Sequence, residues 1–94
     1  MLQSALVELL GSFVFITVIF RFASQSWGAF PIGLALCAAI LFGGAVSGGH
    51  FNPAVSVAMF VADKISLPSL CTYIVAQLVG GYCAWSFVAQ KLLP

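Results

Sequence analysis

Three long apolar runs and one short one fill nearly the whole chain. The first extends from about Ser4 to Phe22, with Arg21 at its far end. A polar stretch containing one tryptophan, Ser24-Gln25-Ser26-Trp27-Gly28, suits a short interfacial loop. The second run opens at Phe30-Pro31 and holds to about Val46, and the third covers about Leu67 to Val88. Pro31 and Pro68 stand near the starts of these runs, where a helix tolerates proline because the missing N–H is not needed. Trp85 lies near the end of the third run, and Lys91 marks its exit. Each long run meets the ~20 apolar residues that a membrane-spanning helix requires.

Between the second and third runs lies Ser47-Gly48-Gly49-His50-Phe51-Asn52-Pro53-Ala54, which breaks a helix. The short run that follows, Ala54 to Ala62, covers roughly 15 Å as a helix, half of a hydrocarbon core of about 30 Å. Asp63-Lys64 then supplies a wet turn. Ala54 to Ala62 carries no charged face, which a helix lying flat on a membrane needs. Non-helical backbone at membrane depth survives only inside protein or beside a watery cavity. The pattern predicts an all-α membrane protein with three transmembrane helices, over about 4–22, 30–46 and 67–88, and one re-entrant half-helix over about 53–62. Residues 1–94 form a single unit.

Composition sharpens this picture. The 94 residues are 63% hydrophobic and 5% charged, with a net charge of +1. A soluble domain carries about 25% charged residues, so water is excluded as the main solvent. The absence of a basic patch argues against a nucleic-acid partner. Lipid is the expected surrounding. No basic residue precedes Glu8, so the first run is expected to be a retained span rather than a leader. Cys37, Cys71 and Cys83 are widely spaced and sit in apolar runs, which predicts small buried hydrophobes. One histidine and three scattered thiols offer no metal site. No cofactor motif and no nucleophile–base pair are present, so an enzyme is not expected.

Helical spacing puts Ser4, Glu8, Gly11, Ser12 and Phe15 on one face of the first span. The same spacing groups Gly33, Cys37, Ile40, Gly44, Ser47 and Gly48 on the second, and Tyr73, Gln77, Gly80, Gly81 and Ala84 on the third. Small residues let helices approach closely in lipid, so these stripes are expected to face each other or a partner. A carboxylate inside a span costs about 2.5–3.5 kcal/mol on insertion scales. Glu8 therefore needs donors, and the loop before Asn52 offers backbone N–H groups and the His50 ring. Glu8 and Gln77 are expected to brace that loop, and His50 to brace it while touching any path beside it.

Asn52 is a good N-cap and Pro53 a good first helical residue. The half-helix should begin at Pro53, with its positive end, roughly half a charge, near the bilayer midplane. That point repels cations. The Asn52 amide can donate to a passing oxygen, and the carbonyls of Gly48, Gly49 and His50 can lead towards it. Donors at the middle and acceptors on the approach suit a small neutral solute such as water.

The segment from Ser47 to Ser56 resembles the first pore loop of the aquaporin, or major intrinsic protein, family. Glu8-Leu9-Leu10-Gly11-Ser12-Phe13 is similar to that family's first-helix signature, and Tyr73 to Gly81 to its third-helix signature. The resemblance implies a passive channel for water and other small neutral solutes, assembled as a tetramer, multi-pass in a plasma or inner membrane. It implies that Asn52, Pro53 and Ala54, with the carbonyls of Gly48, Gly49 and His50, line the pore. Ile32 falls at a selectivity-filter position where water-selective members usually carry an aromatic residue. Phe15 and Leu36 match pore-wall positions. Members have six spans in two inverted repeats, and this chain resembles the first repeat alone. Val55 stands where the second repeat places its filter arginine.

A half of this kind is either a fragment or a half-channel that pairs with an inverted copy. Arg21 and Lys91 on one side, against Lys64 and the N-terminal amine on the other, give almost no orientation bias. A symmetric pair would present two Ile32 and two Val55 side chains and no arginine, a constriction liable to dewet. The sequence therefore favours a fragment. The competing reading is a non-conducting membrane protein that packs against other channel subunits.

Overall fold

The computed structural model describes residues 1–90. Lys91, expected at the exit of the third span, lies outside the described residues. Four helices follow one another: α1 Leu2–Phe22, α2 Ala29–Ser47, α3 Pro53–Val61 and α4 Leu67–Ala89. Three of them, α1, α2 and α4, are long and apolar enough to cross a membrane. The helix α3, at 9 residues, is not. The long dimension of the molecule is 40 Å, close to a bilayer with its interfaces.

Local chemistry sets the boundaries. Gly48 ends α2 in the left-handed conformation, with φ of 89° and its N–H on the Gly44 carbonyl. Asn52 caps α3 through its side chain, with proline in the first turn behind it. Ser66 caps α4 in the same way, its Oγ accepting from Ser69 N–H. The first helix begins at Leu2, two residues ahead of the expected start, because Leu2 and Gln3 extend the helix without a breaker.

Packing fixes directions. Ser4 donates to the Val46 carbonyl, and Glu8 meets Ser47, so α1 and α2 run antiparallel. Met1 lies beside Thr72, Leu9 and Ser12 beside Gly80, and the Phe13 and Phe87 rings meet edge to face at 5.7 Å. Residue numbers climb together, so α1 and α4 are parallel. Their crossing is close: a Cβ on Gly80 would stand 2.5 Å from the Leu9 carbonyl oxygen. Among the described residues the backbone of α2 lies close to α1, and that of α3 to α4, while α2 also meets α4 through the Tyr73 side chain at Ser47.

Two expectations need correction. The face of α2 turned to α1 is not the Gly33–Cys37–Ile40–Gly44 stripe. Gly33 has open space around its Cα, and Cys37 and Ile40 are exposed. Gly43, against Val7, and Ser47, against Glu8, occupy the contact instead. The helix is apolar all round, so hydropathy carries no phase information, and the small residues on its other faces compete equally as contacts. The three cysteines are exposed, not buried. In a chain whose outer surface meets hydrocarbon, an apolar thiol is as acceptable outside as inside.

Candidate functional site: the loop between α2 and α3

The centre of the molecule is polar although its surface is not. Glu8, Ser12 and Ser56 are wholly buried, and Ser47, His50 and Gln77 nearly so. Glu8 gathers most of them. Its Oε2 accepts from Ser47 Oγ at 2.7 Å and from the His50 backbone N–H at 3.0 Å. Its Oε1 accepts from the Phe51 backbone N–H and from Gln77 Nε2, both at 2.8 Å. Four donors, from α2, the loop and α4, thus meet one carboxylate on α1. This is the solvation that a charge in lipid otherwise lacks.

The loop's own geometry follows from these bonds. Gly49 N–H points at Ser47 Oγ, 3.1 Å away, and the N–H groups of His50 and Phe51 point at Glu8. The described residues contain no cis peptide. In a trans peptide the carbonyl of one residue points opposite to the N–H of the next. The carbonyls of Gly48, Gly49 and His50 therefore turn away from the buried carboxylate. None of the three accepts a hydrogen bond from the described residues. Gly48 and Gly49, with φ of 89° and 66°, make this reversal possible without the strain a side chain would bring.

Beyond the loop, Asn52 is extended and exposed, with Pro53 and Ala54 exposed beside it. Its Oδ1 accepts from Ala54 N–H at 2.8 Å, so the oxygen faces the helix and the amide nitrogen is left outward. The helix α3 then carries its single polar residue, Ser56, into the core. Ser56 Oγ accepts from Gln77 Nε2 at 2.9 Å and lies 2.8 Å from His50 Nδ1. Gln77 stands ten residues into α4, about 15 Å from that helix's start at 1.5 Å per residue. The short helix therefore begins beside the middle of α4 and ends beside its origin. That is the geometry of a chain entering halfway and returning to the side it left.

The sequence-predicted residues divide into two groups. Glu8, Gln77, His50, Gly48, Gly49, Asn52, Pro53, Ala54 and the half-buried Val55 are brought together at or beside this loop. Ile32, Leu36 and Phe15 are half-buried and elsewhere. Ile32 precedes Ser47 by fifteen residues of α2, so it lies roughly 22 Å up that helix. Four contributors escaped the site reading. Helical spacing sets Ser47 and Tyr73 on stripes and gives them no role in the loop. The Tyr73 hydroxyl donates to the Ser47 carbonyl at 2.6 Å, and its ring meets the His50 ring at a tilt of 53°, 4.8 Å between centroids. Ser56 had a signal, as the lone polar residue of the half-helix. Phe51 had none, being one aromatic residue among many.

Comparison with known proteins identifies the family. The profile of the family described as "Major intrinsic protein" matches residues 1–93. The lens fiber major intrinsic protein of Gallus gallus is 39% identical over 88 residues, covering 83% of this chain and 33% of its own length. Aquaporin Z of Photorhabdus laumondii is 33% identical over 95 residues, 89% of this chain and 41% of that protein. A glycerol uptake facilitator protein-like 6 of Lactiplantibacillus plantarum is 33% identical over 88 residues, again 41% of its length. The chain thus spans between a third and two fifths of these three relatives. No solved structure matches. With a profile covering almost every residue, the chain is a multi-pass membrane protein and belongs to the major intrinsic protein family.

Proposed function

We propose that the chain forms one half of a passive channel for water and other small neutral solutes. A second, inverted half-repeat on the same or another chain completes the pore, and complete pores assemble as a tetramer. The observation that carries this reading is the direction of the loop. At mid-depth, the carbonyls of Gly48, Gly49 and His50 turn away from the core, and the Asn52 amide nitrogen faces outward beside the start of α3. Such groups cannot face acyl chains, since each unsatisfied polar group there costs several kcal/mol. Water, or protein enclosing water, must meet them. The start of α3 adds roughly half a positive charge, which discourages cations while leaving neutral solutes free to pass.

Ile32 at the filter position favours a broader solute range over water alone, and Val55 withholds the charge that an arginine would supply. Phe15 and Leu36 serve as apolar pore wall above the loop.

Osmotic shrinkage of vesicles containing the inserted chain tests the reading. Flux well above that of empty vesicles supports it. Shrinkage at the empty-vesicle rate, with insertion verified, counts against autonomous conduction. Asn52→Asp should slow water or admit cations, because it replaces the donor with an acceptor and offsets the helix end. Unchanged flux with no ion leak would refute the donor argument.

A second reading has its own observation. Gly33 has nothing within 4 Å of a would-be Cβ, and the whole tip Asn52–Ala54 is exposed. Close-packing surfaces of this kind suit a non-conducting chain that packs against other channel subunits. Co-purification with a full-length channel, without flux of its own, distinguishes it.

A further inference from the structure

Phe51 combines features that do not occur together by accident. It is a non-glycine residue with φ of 52°, a left-handed conformation that a bulky side chain rarely holds without compensation. Its exposure is 4%, yet Asn52, Pro53 and Ala54 immediately after it are exposed. Its backbone N–H is fixed on Glu8. Its ring enters between α1 and α2 beside Gly11 of the first and Gly43 of the second. A Cβ on Gly11 would overlap the edge of the ring, and one on Gly43, besides clashing with Val7, would stand 3.6 Å from its tip.

We propose that Phe51 is the positioning residue for the Asn52 carboxamide: the ring, keyed between Gly11 and Gly43, holds the twist that sends the chain outward at Asn52. The N–H bond to Glu8 fixes one side of the Phe51 Cα, and the seated ring fixes the side chain. With both held, rotation about the remaining bond carries Asn52 and the start of α3 in one direction. Gly11 is then the tight wall of the socket, and Gly43, which also packs against Val7 of α1, borders the tip of the ring. The functional meaning of this role rests on the pore reading above, but the aim of Asn52 is measurable without any flux.

Asn52 is the single asparagine of the chain, so 15N-asparagine labelling in lipid nanodiscs gives one carboxamide signal pair. The unaltered protein should show one narrow pair with cross-peaks to water. Phe51→Ala should broaden or split that pair and speed amide exchange at His50 and Phe51 or its replacement by roughly tenfold or more, through local opening of the loop. Phe51→Gly separates the two halves of the argument. Glycine accepts the twist without strain but has no ring, so it should behave like alanine. Gly11→Ala should disturb the Asn52 signal by pushing the ring out of its socket. Combining it with Phe51→Leu, which shortens the side chain but keeps an anchor, should return the signal most of the way. Protection of Gly80 and Ala84, at the α1–α4 crossing, should stay unchanged throughout. A single unshifted carboxamide pair in both Phe51→Ala and Phe51→Gly, with unchanged exchange, would overturn the proposal, as would additive damage in the Gly11→Ala, Phe51→Leu pair. If Asn52 responds as described while vesicles holding the chain together with a complementary half-repeat fail to conduct, the pore reading falls and the positioning role stands.

Discussion

Glu8 sits six residues inside α1, roughly 9 Å from its start, where water cannot reach it. Its four donors come from three separate parts of the chain, so removing the acceptor unties all of them at once. Glu8→Gln keeps the shape but puts an amide hydrogen against donors. With two or more buried donors left unpaired at about 1–3 kcal/mol each, the loss is about 3 kcal/mol or more. The expected outcome is poor yield of folded protein in detergent, measured by size exclusion and thermal melting, rather than a changed solute preference. Normal yield with altered selectivity would contradict it. A second consequence concerns His50. Ser56 Oγ accepts from Gln77 and keeps its own hydrogen for His50 Nδ1, 2.8 Å away, and the expected tautomer carries the ring proton on Nε2. His50 is the single histidine, so 15N spectra of the ring should show the Nε2–H form; an Nδ1–H spectrum would refute the assignment. Glu8 was legible in the sequence because a charge in an apolar run demands partners. Phe51 was not, because its importance lies in a backbone angle and in two glycines, forty and eight places before it, that no periodicity connects.

At the scale of elements, close approach can be separated from mere glycine content. Gly80 faces the backbone of α1, so Gly80→Ala forces two helices apart, with overpacking that typically costs about 1–3 kcal/mol. Gly33 faces nothing, so Gly33→Ala should be neutral or gain up to about 1 kcal/mol from helix propensity. Unfolding midpoints of the two variants in mixed micelles should move in opposite directions or differ by several degrees. Equal shifts would mean that the α1–α4 crossing is looser than it looks. The long helices and the break at Gly48 were legible because length and helix-breaking residues act locally. The contact face of α2 was not. Nineteen residues with almost no polar marker fix a span but not its rotation, and only Ser47, through Glu8, reveals the true phase.

For the whole molecule, the order of strengths is inverted relative to a soluble protein. Directional bonds hold the centre, and apolar surface faces outward: Phe30, Leu41 and Phe42 are among the most exposed side chains. The family and the re-entrant outline followed from the sequence, since three motifs in fixed order need no tertiary information. How α2 and α3 are placed relative to each other did not follow, because no close backbone approach joins them within this chain. That open side has a practical sequel. The thiols of Cys37 on α2 and of Cys71 and Cys83 on α4 are all reachable in the lone chain and look out in different quarters. In detergent micelles at alkaline pH, where solvent reaches the thiols and ionises them, a small maleimide should tag all three when the chain is by itself. Whichever thiol escapes tagging after assembly names the flank that a neighbour has shielded, so the protein carries its own footprinting reagents.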